Sequence, residues 1–440
     1  MQRRLLITLL SSLTIPCVLS AQAAGSKCAP DNAGLKLPAG LCASIFADTV
    51  RGARHLVVAP NGDVFVSAQG RGGGVIALRP NASGQADAPK QFATGFTTSE
   101  VALFDGYLYT EALAARAPGV TVTPGTPSVI AIVRYPLKPG ELTPSGPPDT
   151  IVAGLPGQPG HSTRNFAISR EGVLYVNVGS RTNSCQAEDR KKDSPGADPC
   201  TELDTRAGIW KFDARKKNQT QATAVHFARG IRNAVGIAIN PADGKLWATQ
   251  HGGDQLGGDG AVGPFDAKYN AENPAEELMQ VNEGDDFGWP YCYYSVEAKK
   301  LVLAPEYGGD GEKVGQCAQK KGPVATFPGH WAPNALFFYT GSNLPARYKN
   351  GAFIAFHGSW NRAPEPQAGF NVVFQPLNGD KAAGAYEVFA DGFAPSVGTG
   401  RANAASGAHR PTGLAQSPDG ALYVTDDTGG RIYKIMSTPK

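Results

Sequence analysis

Arg232, Asn233 and His251 are the side chains around which a chemistry can first be built, because two short motifs carry them at one end of a candidate hairpin. Gly230-Ile231-Arg232-Asn233 stands before an apolar run at 235–239, Asp243-Gly244 supplies a tight turn, and Leu246-Trp247-Ala248 returns into Gln250-His251-Gly252-Gly253-Asp254. Antiparallel strands joined by a short turn bring their open ends together, so the cation, the amide and the imidazole fall within a side chain's reach of one another. Arginine forks onto carboxylates, an amide offers donor and acceptor, and bare glycine lets backbone approach a ligand or an ion closely. Such a set suits an anionic, oxygen-rich ligand. On the hairpin alone a plainer reading has the better claim: Arg232 and Asn233 cap an exposed strand and His251 is a turn residue.

Other candidates stand at the ends of other apolar runs. His161, in Gly160-His161-Ser162-Thr163-Arg164-Asn165, directly precedes a strand-like run and has the one side chain that titrates near neutrality without special tuning, so it is a candidate general base; a solvated loop histidine is the alternative. His330, in Pro328-Gly329-His330-Trp331, and His357, in Phe356-His357-Gly358, also sit beside glycine at strand ends, as candidates for ligand contact or as hydrogen-bonded structural histidines. Arg410 precedes its strand as Arg232 precedes the hairpin, which puts two guanidinium groups at one rim; two solvated rim arginines are equally compatible with position alone. Glu276-Glu277, followed by the Gly- and Asp-rich run 283–288, could hold Ca²⁺, a hard ion that takes roughly six to eight oxygens, although no EF-hand spacing is present and a solvated acidic loop fits nearly as well.

A repeat supplies the frame for these residues. An apolar strand, a polar tip with Gly and a second apolar strand recur around Gly62, Gly106, Gly172, Gly244, Gly351 and Gly420, the fifth copy being the weakest. Further apolar strands follow several copies, at 74–78, 128–133, 208–212 and 431–435. Three or four strands per copy, repeated radially, predict an all-β six-bladed β-propeller, closed by pairing the strand at 43–47 with the C-terminal strands. A pair of β-sandwiches is the other architecture, and it leaves the shared hairpin unexplained. The one short helix expected lies at 273–281, where a strand fits as well. Two long polar stretches, 182–205 and 254–273, read as loops on the scaffold, where function tends to sit.

Composition agrees with this frame. Gly 54 and Pro 34 in 440 residues call for many turns, and 41% hydrophobic residues support a packed core. A net charge of +3 carries no nucleic-acid footprint and points to a small-molecule partner. Arg3-Arg4, an interrupted apolar run to Leu19 and Ala21-Gln22-Ala23 read as a secretory signal spanning 1–23, too short for a membrane anchor of about 20 apolar residues, with one propeller domain at 24–440. A periplasmic or secreted location without stable membrane insertion follows. The six remaining cysteines fall into three close pairs, Cys28 with Cys42, Cys185 with Cys200 and Cys292 with Cys317, expected as disulfides in an exported chain.

With these residues in place, the chain resembles the family of pyrroloquinoline quinone (PQQ)-dependent soluble glucose dehydrogenases and sorbosone dehydrogenases. The resemblance runs from about His55 to Ile435 and is carried by GIRNAVGIAINPADGKLW, HGGD, EELMQVNEGDDFGWP and HRPTGLAQSPDGALYV in that order. It implies a six-bladed propeller holding PQQ over the axis, with Ca²⁺ bridging cofactor and protein. His161 then looks like the base that takes the substrate's hydroxyl proton. Arg232 and Asn233 resemble the cofactor-binding pair, and Arg410 an arginine facing the cofactor carboxylates. Gly252 and Gly253 fall where carbonyls ligate the cofactor's calcium, and Glu276 and Glu277 resemble an acidic pair at a second calcium site. His251, His330 and His357 complete the candidate cofactor contacts. Two positions depart from the glucose-type pattern: Ser180 replaces an acidic partner of the base, and Asn361 replaces a cofactor-contacting lysine, for which His357 or Arg362 could substitute. Both point toward the sorbosone-type branch.

Three functions fit this reading: a PQQ- and calcium-dependent dehydrogenase of an aldose or sugar-derived aldehyde, passing electrons to a cytochrome or quinone; a cofactor-free propeller acting as a binding module; and a calcium-dependent lactonase-type hydrolase. Arg232 and Arg410 suit an anionic cofactor, whereas a hydrolase calls for carboxylates and amides around a channel metal.

Overall fold

Asp243-Gly244 turns the chain as expected, Gly244 adopting a φ of +71°, and Ile237–Ile239 pairs antiparallel with Leu246–Gln250. The computed structural model describes residues 28–439, apart from 71, 95–98, 114–127, 258–262, 395–396 and 399–408. The signal reading at 1–23 lies outside the described residues.

Six sheets, here blades 1 to 6, follow one another along the chain, each built on four antiparallel strands, with a short fifth strand added to blades 2, 3 and 5. Blade 1 is Ala53–Val58, Val64–Ala68, Gly74–Leu78 and Lys90–Thr94, and blade 2 is Val101–Phe104, Tyr107–Leu113, Val129–Pro136 and Asp149–Pro156. Blade 3 comprises Phe166–Ile168, Val173–Val178, Gly208–Asp213 and Val225–Arg229; blade 4 comprises Ile237–Ile239, Leu246–Gln250, Glu276–Val281 and Ala325–Phe327. Blade 5 is Pro333–Phe337, Gly351–Phe356, Asn371–Asn378 and Glu387–Ala390. Blade 6 takes Pro411–Gln416, Leu422–Asp426 and Ile432–Ser437 from the C-terminus and Leu41–Ala47 from the N-terminal side, with Leu41 opposite Ser437. The all-β six-bladed propeller and its closure by the strand at 43–47 are therefore as the repeat implied.

Why these strands are apolar on both faces follows from the ring. Each sheet is covered by a neighbour on either side, so its inner strands lose the polar alternation of a half-exposed sheet; all five residues of Val64–Ala68 and all six of Gly351–Phe356 are buried. Six apolar clusters each join one blade to the next, as where Phe46 and Tyr423 of blade 6 meet Leu56 and Val66 of blade 1, the two rings stacking at 4.9 Å. Bulges at the starts of the innermost strands of blades 1, 5 and 6 free polar groups to bridge blades around the axis. His55 Nε2 donates to the Asn334 carbonyl at 2.7 Å, and Thr412 donates to the Ala53 carbonyl at 2.8 Å.

Two local readings need correction. The weak fifth copy is not a hairpin centred on Gly351: Ala346–Lys349 is a 3₁₀ turn, and Gly351–Phe356 pairs instead with Pro333–Phe337. The helix expected at 273–281 lies earlier, at Ala267–Glu272, where Asp266 caps it by accepting from the Tyr269 N–H; of the two forms that fitted 273–281 the strand is the one adopted, as the fully buried Glu276–Val281.

Insertions build one wall of the site. The loop 182–205 joins the second and third strands of blade 3, and residues 251–275 do the same in blade 4, so both rise from the end where Arg232 stands. A third segment leaves the far end of Glu276–Val281 and climbs beside blade 3, Asp285–Asp286 pairing parallel with Ala228 and Arg229, which carries Trp289 and the hairpin Cys292–Ser295 with Lys300–Leu303 up to that end. All three expected disulfides are formed: Cys28–Cys42, Cys185–Cys200 and Cys292–Cys317.

Candidate functional site

The open end of the blade 4 hairpin gathers the groups expected there. The His251 N–H donates to the Asn233 carbonyl at 3.0 Å, and the Arg232 N–H donates to the Gln250 side chain at 2.8 Å, so the two motifs are stitched across the strand ends. His161 joins them from the preceding blade. Gly179 makes that approach possible, since a Cβ there would lie 2.6 Å from Asn233 Oδ1 and 2.7 Å from His161 Cβ.

Hydrogen bonding fixes the tautomer of His161. Its Nδ1 lies 2.9 Å from the Ser180 carbonyl oxygen and 3.1 Å from the Ser180 hydroxyl oxygen, while that hydroxyl spends its own proton on the Thr182 carbonyl at 2.6 Å. Both oxygens facing the ring can only accept, so the ring hydrogen sits on Nδ1 and Nε2 keeps its lone pair. Burial, with the Arg232 guanidinium adding to it, holds the imidazole well below its ordinary pKa, and the ring is neutral at neutral pH. Such a nitrogen is a ready proton acceptor.

Arg232 is buried and held from three directions. Its Nε donates to the Asn183 carbonyl at 3.2 Å, and one terminal nitrogen donates to Asn183 Oδ1 at 2.9 Å and to the Asp254 carboxylate at 3.2 Å. The other terminal nitrogen has no partner among the described residues. Asp254 also takes Arg190 at 2.8 Å and Asn361 at 2.9 Å; burial alone would raise its carboxyl, but Arg232, His330 and Arg190 keep it far below the usual carboxylate range. Asn233 accepts from Asn177 at 3.3 Å, and its amide nitrogen has no partner among the described residues.

A second cluster faces this one from blades 1, 5 and 6. His357 Nε2 lies 2.9 Å from Asp427, which also takes Arg54 at 3.0 Å. Arg410 donates to the His357 and Gly358 carbonyls at 2.9 and 2.5 Å, with its guanidinium 5.5 Å from the Phe370 ring centre. His251, whose pKa burial lowers to about 4, donates from Nε2 to the Pro333 carbonyl at 3.2 Å and feels Arg232, His357 and Arg54 together, which ties the two clusters into one field. Three guanidinium groups, of Arg54, Arg232 and Arg410, stand against two carboxylates, of Asp254 and Asp427, so the mouth is net cationic.

Other expected residues take indirect places. His330 bonds the Asn270 carbonyl through Nε2 at 2.6 Å and Asn361 through Nδ1 at 3.2 Å, so both ring nitrogens are occupied and any part in ligand binding runs through Asn361. Asn361 Oδ1 is buried without a partner among the described residues. Arg362 faces away, donating to the Ala271 and Gly329 carbonyls and to Glu272, so it is not the substitute for the missing lysine. Glu276 spends both oxygens on backbone donors, the N–H groups of Gly252 and Ala332 at 3.1 and 3.2 Å, and thereby holds the glycine pair. The carbonyls of Gly252 and Gly253 accept nothing among the described residues. Glu277, the next residue on the strand, faces the other side. Its Oε2 and that of Glu306 are buried without partners among the described residues, and both residues line, with Gly252 and Gly253, a cavity of about 40 Å³. Burial raises Glu276 and Glu277 to about 8 each. Among the described residues no group of three or more His, Cys, Asp or Glu converges as a metal site.

Asn183, Arg54 and Asp427 were not singled out from the sequence. Arg54 had a signal, since it opens the innermost strand of blade 1 as Arg232 and Arg410 introduce those of blades 4 and 6. Asn183 and Asp427 had none.

Comparison with known proteins follows the same lines. A family model described as TrAA12-like matches residues 35–438. The pyrroloquinoline quinone-dependent pyranose dehydrogenase of Coprinopsis cinerea is 28% identical over 312 residues, covering 63% of this chain and 40% of that protein. The chain spans 40 to 60% of the length of the curated relatives it matches. The iodide structure of the Trichoderma reesei carbohydrate-active enzyme of family AA12 superposes with a TM-score of 0.73 at 18% identity, over 92% of this chain and 98% of that one. The holo form of the pyranose dehydrogenase PQQ domain from Coprinopsis cinerea gives 0.64 at 21% identity, over 91% and 97%. At these identities the structural likeness is one of fold.

Proposed function

The chain belongs to the TrAA12-like family, and from that premise we propose that it is a PQQ- and calcium-dependent dehydrogenase that oxidises an aldose or a sugar-derived aldehyde and passes the electrons to an external cytochrome or quinone. The observation that carries this reading is His161: a buried imidazole with its hydrogen committed to Nδ1 and a bare Nε2, standing beside a cationic mouth.

The donor set fits the cofactor. A tricarboxylic quinone needs cations and N–H donors, and the spare terminal nitrogen of Arg232, that of Arg410 and the Asn233 amide are such groups. Arg54 adds to the same field; His251 and His357, both held below their ordinary pKa by burial, stand beside it as neutral rings, and His330 holds Asn361 in place behind them. Gly252 and Gly253, pinned by Glu276, offer backbone oxygens for the cofactor's calcium, and the unpartnered oxygens of Glu277 and Glu306 offer a second place for the ion. When bound, PQQ supplies the two-electron acceptor. The protein's own part is to bind and orient: Arg232 and Arg410 hold carboxylates, and His161 Nε2 takes the proton of the substrate hydroxyl. The three disulfides accord with an exported, periplasmic or secreted protein. Among the described residues no helix is long and apolar enough to cross a membrane.

Titration of the purified apoprotein with PQQ and Ca²⁺, followed by absorbance and calorimetry, tests the proposal. Binding that weakens in Arg232→Ala, with dye reduction by aldoses lost in His161→Ala while PQQ still binds, supports it. An apoprotein that takes up no PQQ in calcium overturns it and favours the binding module or the lactonase-type hydrolase.

A further inference from the structure

Every polar group of Asn183 is engaged, and the engagement converges on one ion pair. Its Oδ1 accepts from Arg232 and from the Asp254 N–H, each at 2.9 Å; its carbonyl accepts from Arg232 Nε at 3.2 Å and from Trp289 Nε1 at 2.9 Å; its Nδ2 donates to the Asp254 carbonyl at 2.9 Å. Its own N–H donates to Asp189 at 2.9 Å. Asn183 thus cradles both members of the Arg232–Asp254 pair, although it belongs to neither of the connecting segments that carry them.

Clamps on both sides hold the segment that bears it. Cys185–Cys200 closes the loop 182–205, and Glu202 takes the N–H groups of Arg181 and Thr182 at its base. On the outer side Ser184 donates to Glu306 at 2.6 Å, Tyr307 donates to the Ser184 carbonyl at 3.2 Å, and the Cys200 N–H donates to Tyr291 at 2.9 Å. Those partners flank or lie within the segment closed by Cys292–Cys317.

We infer that Asn183 is the positioning residue for Arg232 in cofactor binding, and that the Cys185–Cys200 disulfide acts on the cofactor site through it. The inference rests on the PQQ reading above. Asn183 does not touch the ligand; it fixes the guanidinium so that the spare terminal nitrogen of Arg232 faces the mouth.

A double-mutant cycle on PQQ affinity in calcium, read by calorimetry and with no turnover needed, tests it. Asn183→Ala is expected to weaken binding about tenfold, as loss of an outer partner does at comparable sites. In the Arg232→Ala background the same change has no further effect, because the residue it serves is gone. The double variant Cys185→Ser/Cys200→Ser, whose two positions lie outside the blade strands, is expected to weaken binding by a similar factor, while Cys28→Ser/Cys42→Ser, at the N-terminal clamp, is expected to leave affinity unchanged. Equal losses from Asn183→Ala in both backgrounds, or unchanged affinity when the Cys185–Cys200 clamp is removed, overturn the inference. Wild-type protein that binds no PQQ defeats the functional reading itself, a result distinguishable from either.

Discussion

His161 Nδ1 lies 2.9 Å from the backbone carbonyl of Ser180, and this contact, more than the serine hydroxyl at 3.1 Å, orients the ring. A carboxylate partner is not needed to set the tautomer, because a carbonyl is as strictly an acceptor. Ser180→Ala should therefore keep the dehydrogenase activity within about tenfold, one neutral hydrogen bond being worth about 1 kcal/mol. His161→Ala should lower kcat by roughly a hundredfold or more, the usual contribution of a positioned general base. Steady-state kinetics of the two variants with one aldose and one dye separates them.

Arg164 should matter for stability before it matters for binding. It is fully buried, burial lowers its pKa to about 9, and it donates to the carbonyls of Pro156, His161 and Thr163, holding the loop on which His161 stands. Arg164→Met would leave those carbonyls without their donor and cost on the order of 3 kcal/mol. Denaturant unfolding of the apoprotein measures it; a loss below about 1 kcal/mol would mean that water replaces the guanidinium.

Calcium should stabilise the apoprotein through Glu277 rather than Glu276. Saturating Ca²⁺ that binds only the folded state is worth about 2.7 kcal/mol at a hundredfold excess over Kd, a rise of several degrees in Tm. Glu277→Gln should abolish that rise, whereas Glu276→Gln should lower the starting Tm and keep it, since the Glu276 oxygens are spent on backbone N–H groups. A Glu277→Gln protein that still gains stability from calcium would remove the proposed second ion from this cavity.

His226 and His55 should make stability depend on pH in opposite senses. His226 stacks on Trp210 with ring centres 4.0 Å apart, and burial lowers its pKa to about 4. Above its ordinary value near 6.5 it is neutral folded and unfolded; as pH falls from there to about 4 only the unfolded chain gains the proton, and stability declines. His55 donates from both nitrogens, to Glu100 at 2.8 Å and to the Asn334 carbonyl at 2.7 Å. Burial would lower its pKa, but Glu100 outweighs burial and the value is raised, so its contribution is full below about 6.5 and is lost as pH climbs through the folded value. Melting curves of His226→Phe and His55→Gln against wild type, between pH 4 and 9, should flatten the acid side and the alkaline side respectively.

Much of the frame could be read from the chain because it rests on local rules repeated six times. A glycine-bearing tip between two apolar runs forms the hairpin at Gly62, Gly106, Gly172, Gly244 and Gly420, failing only at the weak copy around Gly351, and the pairing of 43–47 with the C-terminal strands follows from the need to close a ring with no exposed edge. The three disulfides were legible for a similar reason, since each closes a short loop. Where local signals competed, tertiary packing decided. Residues 276–281 can be helical or extended by propensity, and burial of all six between blade partners makes them a strand.

The sequence by itself determined the blade count and the gathering of Arg232, Asn233 and His251, because each depends on pairings between neighbouring segments, and the ring closure by the two ends of the chain, because a repeated blade leaves only one edge strand to supply. Only the tertiary structure decided which atoms those groups have left to offer. The oxygens of Glu276 are turned inward to backbone donors while an oxygen of Glu277, one residue on, faces a cavity shared with Glu306; Arg232 donates to Asn183 of a neighbouring loop, and Arg54 to Asp427 at the other end of the chain. Hydrogen-bond satisfaction is settled by everything packed around a buried group, and no spacing within one segment encodes it.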